Sequence, residues 1–573
     1  MLTRWVYKEK ISEDLLQTQF HDIHPVLAQL LFNRGIREKQ QAEAFMSSQY
    51  ETHVHEPFLF HDMEKAVLRV QQGIRNQEKI IAHGDYDADG VCGAAVLFEG
   101  LKTLGSNVSA YIPHREKEGY GVNTDTIHTL AQQGAKLIIT ADCGISNREE
   151  IALAKRLGMD VIVTDHHEEP LQLPSDACAL INPNMKRETY PFKGLAGVGV
   201  AFKFVSALYA RAAQMQGVGK TPRKDAYRDL LDLVAISTVT DMMPLLDENR
   251  IFVKEGLKVL RTLRRPGLRA LAELTRMPKE TMNATHIGFV IGPRLNAAGR
   301  LEHAWHAYQM LTTEDPNEAY EIAHKLEQVN EDRKLITNLI TKEVEEQLGQ
   351  VSDQQKVLFA FGKDWPLGVV GLVAGKVAQK YNRPVFILGK AQGNIVASGR
   401  SVPTVNIVKV LQESEGFYKK YGGHAAACGF TLKQEVDLEV WKMCIEKIFA
   451  KKLDTADAAH IIPIEHMIAM NDITSELWTL LEQLAPFGQA NPEPVFAAHH
   501  VRVRQAYPVG KDQKHLKLIV EQNGVTKNAI AFGFGPFMHK LSYSQTINIA
   551  FRIEENIWNG RRDLQIKIID IQL

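Results

Sequence analysis

Between residues 79 and 164 short apolar runs alternate with longer amphipathic stretches, at a spacing few folds can satisfy. Lys79-Ile80-Ile81-Ala82-His83 reads as a buried strand, Gly90 to Leu104 as a helix, and Asn107 to Ile112 as a strand. A helix at Thr124–Gln133, a strand at Lys136–Thr140, a helix at Arg148–Leu157 and a strand at Asp160–Thr164 complete the series. Short β-rich runs between helices predict a mostly parallel α/β sheet.

The residues just past each strand are as informative as the strand itself. The first runs into His83-Gly84-Asp85-Tyr86-Asp87-Ala88-Asp89-Gly90. Three aspartates at alternate positions repel one another unless a cation lies among them. Loop carboxylates just past a strand end stand where open α/β sheets bind ligands. Alone, this run favours a metal, with a solvated acidic turn capping the next helix as the alternative. The later strand ends shift that balance. Thr140-Ala141-Asp142-Cys143-Gly144 follows one, and Thr164-Asp165-His166-His167-Glu168 follows the next. An apolar helix then ends in Thr240-Asp241. Together these predict a metal site. Carboxylate and imidazole without thiolate suit Mn²⁺ or Mg²⁺ better than Zn²⁺. Six candidate ligands exceed the needs of one ion, and two ions about 3.5–4 Å apart with a bridging carboxylate fit better.

Beyond residue 198 the chain reads as mainly helical, ending in a long polar helix from Pro316 to Leu348. A second α/β pattern begins at Lys356–Phe361, continues through a helix at Val369–Lys380, and adds strands at Pro384–Leu388 and Ile395–Ser398. From Ile461 alternating segments take over, among them Val501–Arg504, His515–Val520, Thr546–Ile553 and Leu564–Ile569. Five or so short strands of this kind fit an antiparallel barrel of OB-fold size.

Composition narrows the class of protein. The net charge is −1, from 67 Lys+Arg against 68 Asp+Glu. A protein basic all over is excluded, but a local basic surface is not. Lys254–Lys279 is net +6, Glu314–Lys356 net −6 and Pro486–Leu573 net +4. The five cysteines are scattered, with no C-x-x-C pair, against both a disulfide framework and a thiolate zinc site. Cys143 reads as a small buried filler, with a reactive thiol as the alternative. No secretory signal and no apolar run of spanning length is visible, so the expected compartment is the cytoplasm, with no membrane.

These motifs resemble the DHH phosphoesterase superfamily: Asp165-His166-His167, the His83-x-Asp85-x-Asp87-x-Asp89 run, Asp142 and Asp241. Gly292-Pro293-Arg294-Leu295-Asn296, Arg300, Ala397-Ser398-Gly399-Arg400-Ser401 and Tyr421-Gly422-Gly423-His424-Ala425 are similar to the RecJ exonucleases within it. The resemblance implies a 5′→3′ exonuclease specific for single-stranded DNA, using two divalent cations, Mn²⁺ or Mg²⁺, in recombination and repair. Carried onto this chain, it has His83, Asp87 and Asp142 hold one ion. Asp89, Asp142, His166 and Asp241 hold the other, with Asp142 bridging. Asp85 is a ligand or supports one. His167 faces the scissile phosphate, or alternatively orients His166 from behind.

Other residues read as strand contacts. Arginine offers phosphate a planar, permanently charged fork, and Arg294, Arg300 and Arg400 stand in small-residue surroundings. Asn296 and Ser398 can donate further hydrogen bonds. The resemblance places Gly423 and His424 on the nucleotide-binding face, where the residues alone read as a tight turn. Arg115 and Tyr120 follow a strand end and are candidates for gripping a 5′ end. Gly368–Gly375 reads as packed helix rather than a phosphate loop, lacking the Lys-Ser/Thr pair. Arg502, Arg504, Lys511, Lys514, Lys517 and Lys527, interleaved with Tyr507 and Phe532, suit a single strand without reading its sequence. An ordinary charged surface is the alternative.

The expectation is therefore an α/β multidomain chain. Residues 1–78 form helical support and 79–315 a mostly parallel-sheet DHH core with a helical extension. A connecting helix spans 316–350, an α/β DHH-associated domain 351–455, and a C-terminal β-barrel of OB-fold type 456–573. Single-stranded DNA is the expected partner, with a single-strand-binding protein and a helicase, and the protein is expected to be a monomer. Two rivals stay open: a relative acting on oligoribonucleotides, cyclic dinucleotides or polyphosphate, and a non-catalytic replication scaffold.

Overall fold

The computed structural model describes residues 3–214, 223, 225–352, 354–391, 393–452, 460–558 and 561–573. The expected boundary at 455/456 lies outside them. The chain divides into two compact units. The smaller comprises Met1–Arg4, His114–Lys117 and Pro293–His460; the larger comprises Trp5–Pro113, Glu118–Gly292 and Ile461–Leu573.

The N-terminal segment is less purely helical than its sequence suggests. Strand β1 (Thr3–Tyr7) opens it, because an alternating Thr-Arg-Trp-Val-Tyr run favours a pleated, half-buried surface. Its Trp5 indole donates to Asp570 at 2.8 Å. Helices follow, the longest being Met63–Arg75, which buries Met63, Ala66, Val67 and Val70 along one stripe.

The core sheet holds β2 (Lys79–Gly84), β3 (Val108–Tyr111), β4 (Ala135–Ala141), β5 (Asp160–Thr164) and β6 (Ala179–Ile181), in the order β3-β2-β4-β5-β6. Every pairing is parallel. The chain runs from β2 outward to β3, then crosses back to place β4 on the other side of β2. That reversal opens a crevice beyond the C-terminal ends of β2 and β4. The helix after β2 is Ala88–Thr103, starting two residues earlier than expected because Asp87 caps it. Gly84 and Gly90 let the loop fold tightly: a Cβ on Gly84 would sit 2.2 Å from the Gly90 carbonyl oxygen. Helices Gly197–Gln214 and Leu231–Thr240 pack beside it.

In the smaller unit the helix Pro316–Leu348 runs 33 residues, capped by Asp315. Its sheet contains β7 (Leu358–Gly362), β8 (Val385–Ala391), β9 (Asn394–Arg400), β10 (Tyr418–His424) and β11 (Ala427–Leu432), ordered β10-β11-β9-β8-β7. Only β7 and β8 pair in parallel. Residues 368–375 lie in the helix Leu367–Tyr381, whose Val369, Val370, Val373, Ala374 and Val377 are buried. The Gly422-Gly423-His424 run, readable as a tight turn, instead ends strand β10 of a hairpin.

The remaining strands belong mainly to the larger unit. They are β12 (His460–Ile464), which pairs with β1, then β13 (His466–Met467), β14 (Phe496–Val509), β15 (His515–Gln522), β16 (Val525–Ala531), β17 (Thr546–Trp558) and β18 (Arg561–Gln572). Pairing of β14 with both β15 and β17 closes the barrel. Its core merges with the N-terminal helices: Phe20, Leu27, Leu30 and Leu31 share one cluster with Phe496, Leu516, Leu518 and Phe551. Among the described residues no helix is long and apolar enough to cross a membrane.

Candidate metal centre

Beyond the ends of β2, β4 and β5, carboxylates and imidazoles converge. Three triads each bring one ligand atom per residue within 4.8 Å of the others: Asp85/Asp87/Asp142, Asp142/His166/His167 and Asp89/His166/Asp241. Asp142 and His166 each belong to two of them.

Local structure explains each placement. Asp87 caps the helix Ala88–Thr103 by accepting from the Asp89 and Gly90 amides at 2.9 and 3.1 Å through one oxygen. The capping and ligand readings are therefore compatible, because the second oxygen takes no part in the cap. Asp89, in the first turn, points at the start of helix Gly197–Gln214. Its oxygens accept from the Gly197 amide (2.6 Å), the Val198 amide (2.9 Å) and the Ser237 hydroxyl. The amide dipoles there favour a negative charge. Asp142 sits in the left-handed region, at φ 63°, after its amide has extended the ladder to Thr164 O at 3.0 Å. A Cβ on Gly197 would lie 2.6 Å from Asp142 Cβ, so only glycine admits this approach. Asp241 is the C-terminal cap of helix Leu231–Thr240.

The electrostatics call for a cation. Burial, then the charges of Asp89, Asp87, Asp241 and Asp165, holds the Asp142 carboxyl well above its ordinary range. Burial and the charges of Asp89 and Asp87 do the same to Asp241. Two buried ligand atoms, His83 Nε2 and Asp142 Oδ1, make no hydrogen bond. Asp142 Oδ1 is nevertheless 3.1 Å from His166 Nε2. Two ligands at right angles on one ion, each ~2.1 Å from it, stand about 3 Å apart. Burial pushes the His83 imidazole down to about 4, leaving it neutral and able to ligate. His83 belongs to none of the three triads; its ring stacks on Tyr111 and its Nδ1 is 3.8 Å from Cys143 Sγ. Cys143 is fully buried, as a filler is, and burial pushes its thiol up. The donor set thus fits hard divalent cations.

Asp165, quoted in the sequence motif without a role, organises the histidines. One oxygen accepts from the His166 amide (2.7 Å), the His167 amide (3.1 Å) and His167 Nδ1 (2.8 Å); the other accepts from the Ile145 amide at 3.0 Å. Burial opposes a charge on His167, but the Asp165 bond and the nearby carboxylates outweigh it and raise its pKa. Tyr120, a candidate for gripping a 5′ end, stands in this cluster. Its hydroxyl donates to Asp142 O at 3.0 Å and lies 3.1 Å from His167 Nδ1. Asp85 is buried, with the Gly121 amide 3.4 Å from its Oδ1.

The remaining expected contacts, Arg115, Arg294, Asn296, Arg300, Ser398, Arg400, Gly423 and His424, belong to the smaller unit. Arg294 is buried in a two-pronged pair with Glu327. Arg300 donates to Gly368 O at 3.1 Å. Asn296 and Arg115 are half-buried. Arg400 donates to Ser398 Oγ at 3.2 Å and Gly399 O at 2.9 Å. Gly423, at φ 144°, faces Cys428 across the hairpin, and a Cβ there would meet Ala427 O at 2.3 Å. His424 is exposed. On the barrel Tyr507 faces Lys517 across β14 and β15, and Lys567 stands over the exposed Phe532 ring. Arg504 is bonded to Glu521 and Lys527 to Ile473 O, so these two are less available than expected.

Comparison with known proteins agrees along the whole chain. The DHH family N-terminal domain matches residues 79–238, the DHHA1 domain 354–451 and the RecJ OB domain 464–570. The single-stranded-DNA-specific exonuclease RecJ of Bacillus subtilis is 35% identical over 571 residues, covering 99% of this chain and 70% of that protein. The crystal structure of RecJ from Thermus thermophilus in complex with Mn²⁺ superimposes with a TM-score of 0.83 at 26% identity, covering 100% of this chain and 80% of that one. Its complex with Mg²⁺ gives 0.78, also at 26% identity, covering 100% and 78%.

Proposed function

The chain belongs to the RecJ family of single-stranded-DNA-specific exonucleases, and on that premise we propose that it degrades single-stranded DNA from the 5′ end, releasing nucleoside 5′-monophosphates. Similarity over 99% of the chain, with a matching RecJ OB domain, favours this substrate over oligoribonucleotides, cyclic dinucleotides or polyphosphate.

The observation that carries the reading is a buried ligand atom without a hydrogen bond, Asp142 Oδ1, on a residue shared by two of the ligand triads; His83 Nε2 is a second such buried atom. Asp142, His166, Asp89 and Asp241 would hold one cation; Asp87, Asp142 and His83, with Asp85, would hold a second. When bound, such a pair supplies an activated water and offsets charge at phosphorus. The protein's own groups do the rest. Asp165 fixes the His167 ring through Nδ1, and Nε2, 3.3 Å from the Tyr120 hydroxyl, is the nitrogen turned to meet a phosphate oxygen. A protonated ring would donate there. Tyr120 ties the Asp142 backbone to that imidazole. In the smaller unit Arg400 and Ser398 offer donors to the strand's phosphates, and the barrel's Tyr507, Lys517 and Phe532 offer it a stacking, basic surface. The family reading also brings a cytoplasmic site, a single-strand-binding protein and a helicase as partners, and a monomeric state.

The test uses 5′-labelled and 3′-labelled single strands, with duplex controls, with and without Mn²⁺. Labelled mononucleotide is expected first from the 5′-labelled strand and only with metal. Its first release from the 3′ end would overturn the polarity.

A further inference from the structure

Strand β6 pairs with β5 so that Ile181 lies opposite Thr164, and the Asp165 amide extends that ladder to Ile181 O at 3.1 Å. The residues just beyond β6, Asn182-Pro183-Asn184, therefore lie beside His166 and His167. Asn182 Nδ2 donates to His167 O at 2.8 Å. Asn184 Nδ2 donates to His166 O. The Asn184 amide donates to Asn182 Oδ1 at 2.8 Å. A backbone N–H can only donate, so this last bond fixes which end of the Asn182 amide is oxygen and leaves its nitrogen facing His167. Asn182 is fully buried. Asp165 already binds both histidine amides. All four backbone polar groups of the His166-His167 pair thus end on side chains, not on regular secondary structure.

We propose that Asn182 and Asn184 are positioning residues for the nuclease reaction: they clamp the backbone of the histidine pair so that both imidazoles hold their aim at the metal centre. This rests on the metal-dependent reading above. A histidine on a free loop would lose orientation on ordering and fall short of the geometry a ligand needs. The clamp meets this need with two amides placed by a sheet strand. Each reaches a carbonyl that the Asp165 carboxylate, an acceptor, is unable to bind.

Asn184→Ala and Asn182→Ala are compared with wild type in three measurements: Mn²⁺ affinity by titration calorimetry, kcat and KM on single-stranded DNA, and melting temperature in chelator. The expected result is a 10- to 100-fold loss in Mn²⁺ affinity and kcat, roughly the range for groups that orient metal ligands. KM stays close to wild type in both, and the chelated melting temperature does so in Asn184→Ala, whereas truncating the buried Asn182 also lowers it. Asn184 is the decisive position, because it is only half-buried and its truncation leaves the carbonyl reachable by water. Mn²⁺ affinity and kcat within twofold of wild type in both variants would overturn the clamp alone. So would failure of both to fold, or lost activity with unchanged Mn²⁺ affinity. Wild-type protein that neither binds Mn²⁺ nor degrades DNA would overturn the functional reading and the clamp together.

Discussion

Asp142 combines a strained backbone, a buried carboxyl and membership of two ligand triads. Its raised pKa gives a sign that can be tested. The folded state binds its proton more tightly than the unfolded one, so ionising Asp142 costs stability as pH rises above the ordinary carboxylate range. In chelator, Asp142→Asn should therefore melt no lower than wild type at neutral pH, and its advantage should grow in calorimetry as pH rises above the ordinary carboxylate range. Nuclease activity should fall by at least about 100-fold, the scale of losing one charge-stabilising group. Added Mn²⁺ should then stabilise wild type much more than the variant. The cluster itself was legible because acidic and histidine residues at three strand ends have few structural uses. Asp165 was harder to read: its value lies in accepting from two neighbouring amides and one ring, which spacing does not reveal. The contacts of Tyr120 were hidden for a related reason, since its partners, Asp142 and His167, are 22 and 47 residues away.

The helix Gly197–Gln214 shows how one element serves both core and site. Its interior is apolar and its first amides hold Asp89, while Gly197 makes room for Asp142. Gly197→Ala should displace Asp142 or the helix start. A misplacement of ~1 Å can cost about 100-fold in rate, so kcat should drop at least tenfold while circular dichroism keeps the native helix content. On the barrel, Tyr507→Ala should weaken affinity for long single strands by about 1–3 kcal/mol in fluorescence anisotropy, with cleavage of very short strands little changed. Most strands and helices of both α/β regions were predictable to within a few residues, because apolar period and length set them. The misses include β1, β6 and the β10–β11 hairpin, edge or glycine-rich segments whose pairing partners decide their conformation.

At the scale of the molecule, the domains do not follow the chain. Residues 5–113, 118–292 and 461–573 form one unit, and the barrel's core is completed by Phe20, Leu27, Leu30 and Leu31 from the N-terminal helices. Ending the chain at residue 460 should therefore do more than remove a DNA-binding surface. It should expose those side chains and give insoluble or protease-sensitive protein, seen as loss of soluble yield and rapid cleavage within roughly the first 50 residues. Point changes such as Tyr507→Ala are the cleaner probe of the barrel. By itself the sequence determined the α/β class, the barrel, the family and which acidic and histidine residues cluster, since these rest on periodicity and on which residue types follow each strand. Tertiary structure alone decided the strand order that places the ends of β2 and β4 side by side, the clamp on the histidine pair, and the joining of the chain's two ends in one core. Each depends on groups far apart in sequence meeting at contact distance, and hydrogen bonding and burial at that range leave no period in a linear string.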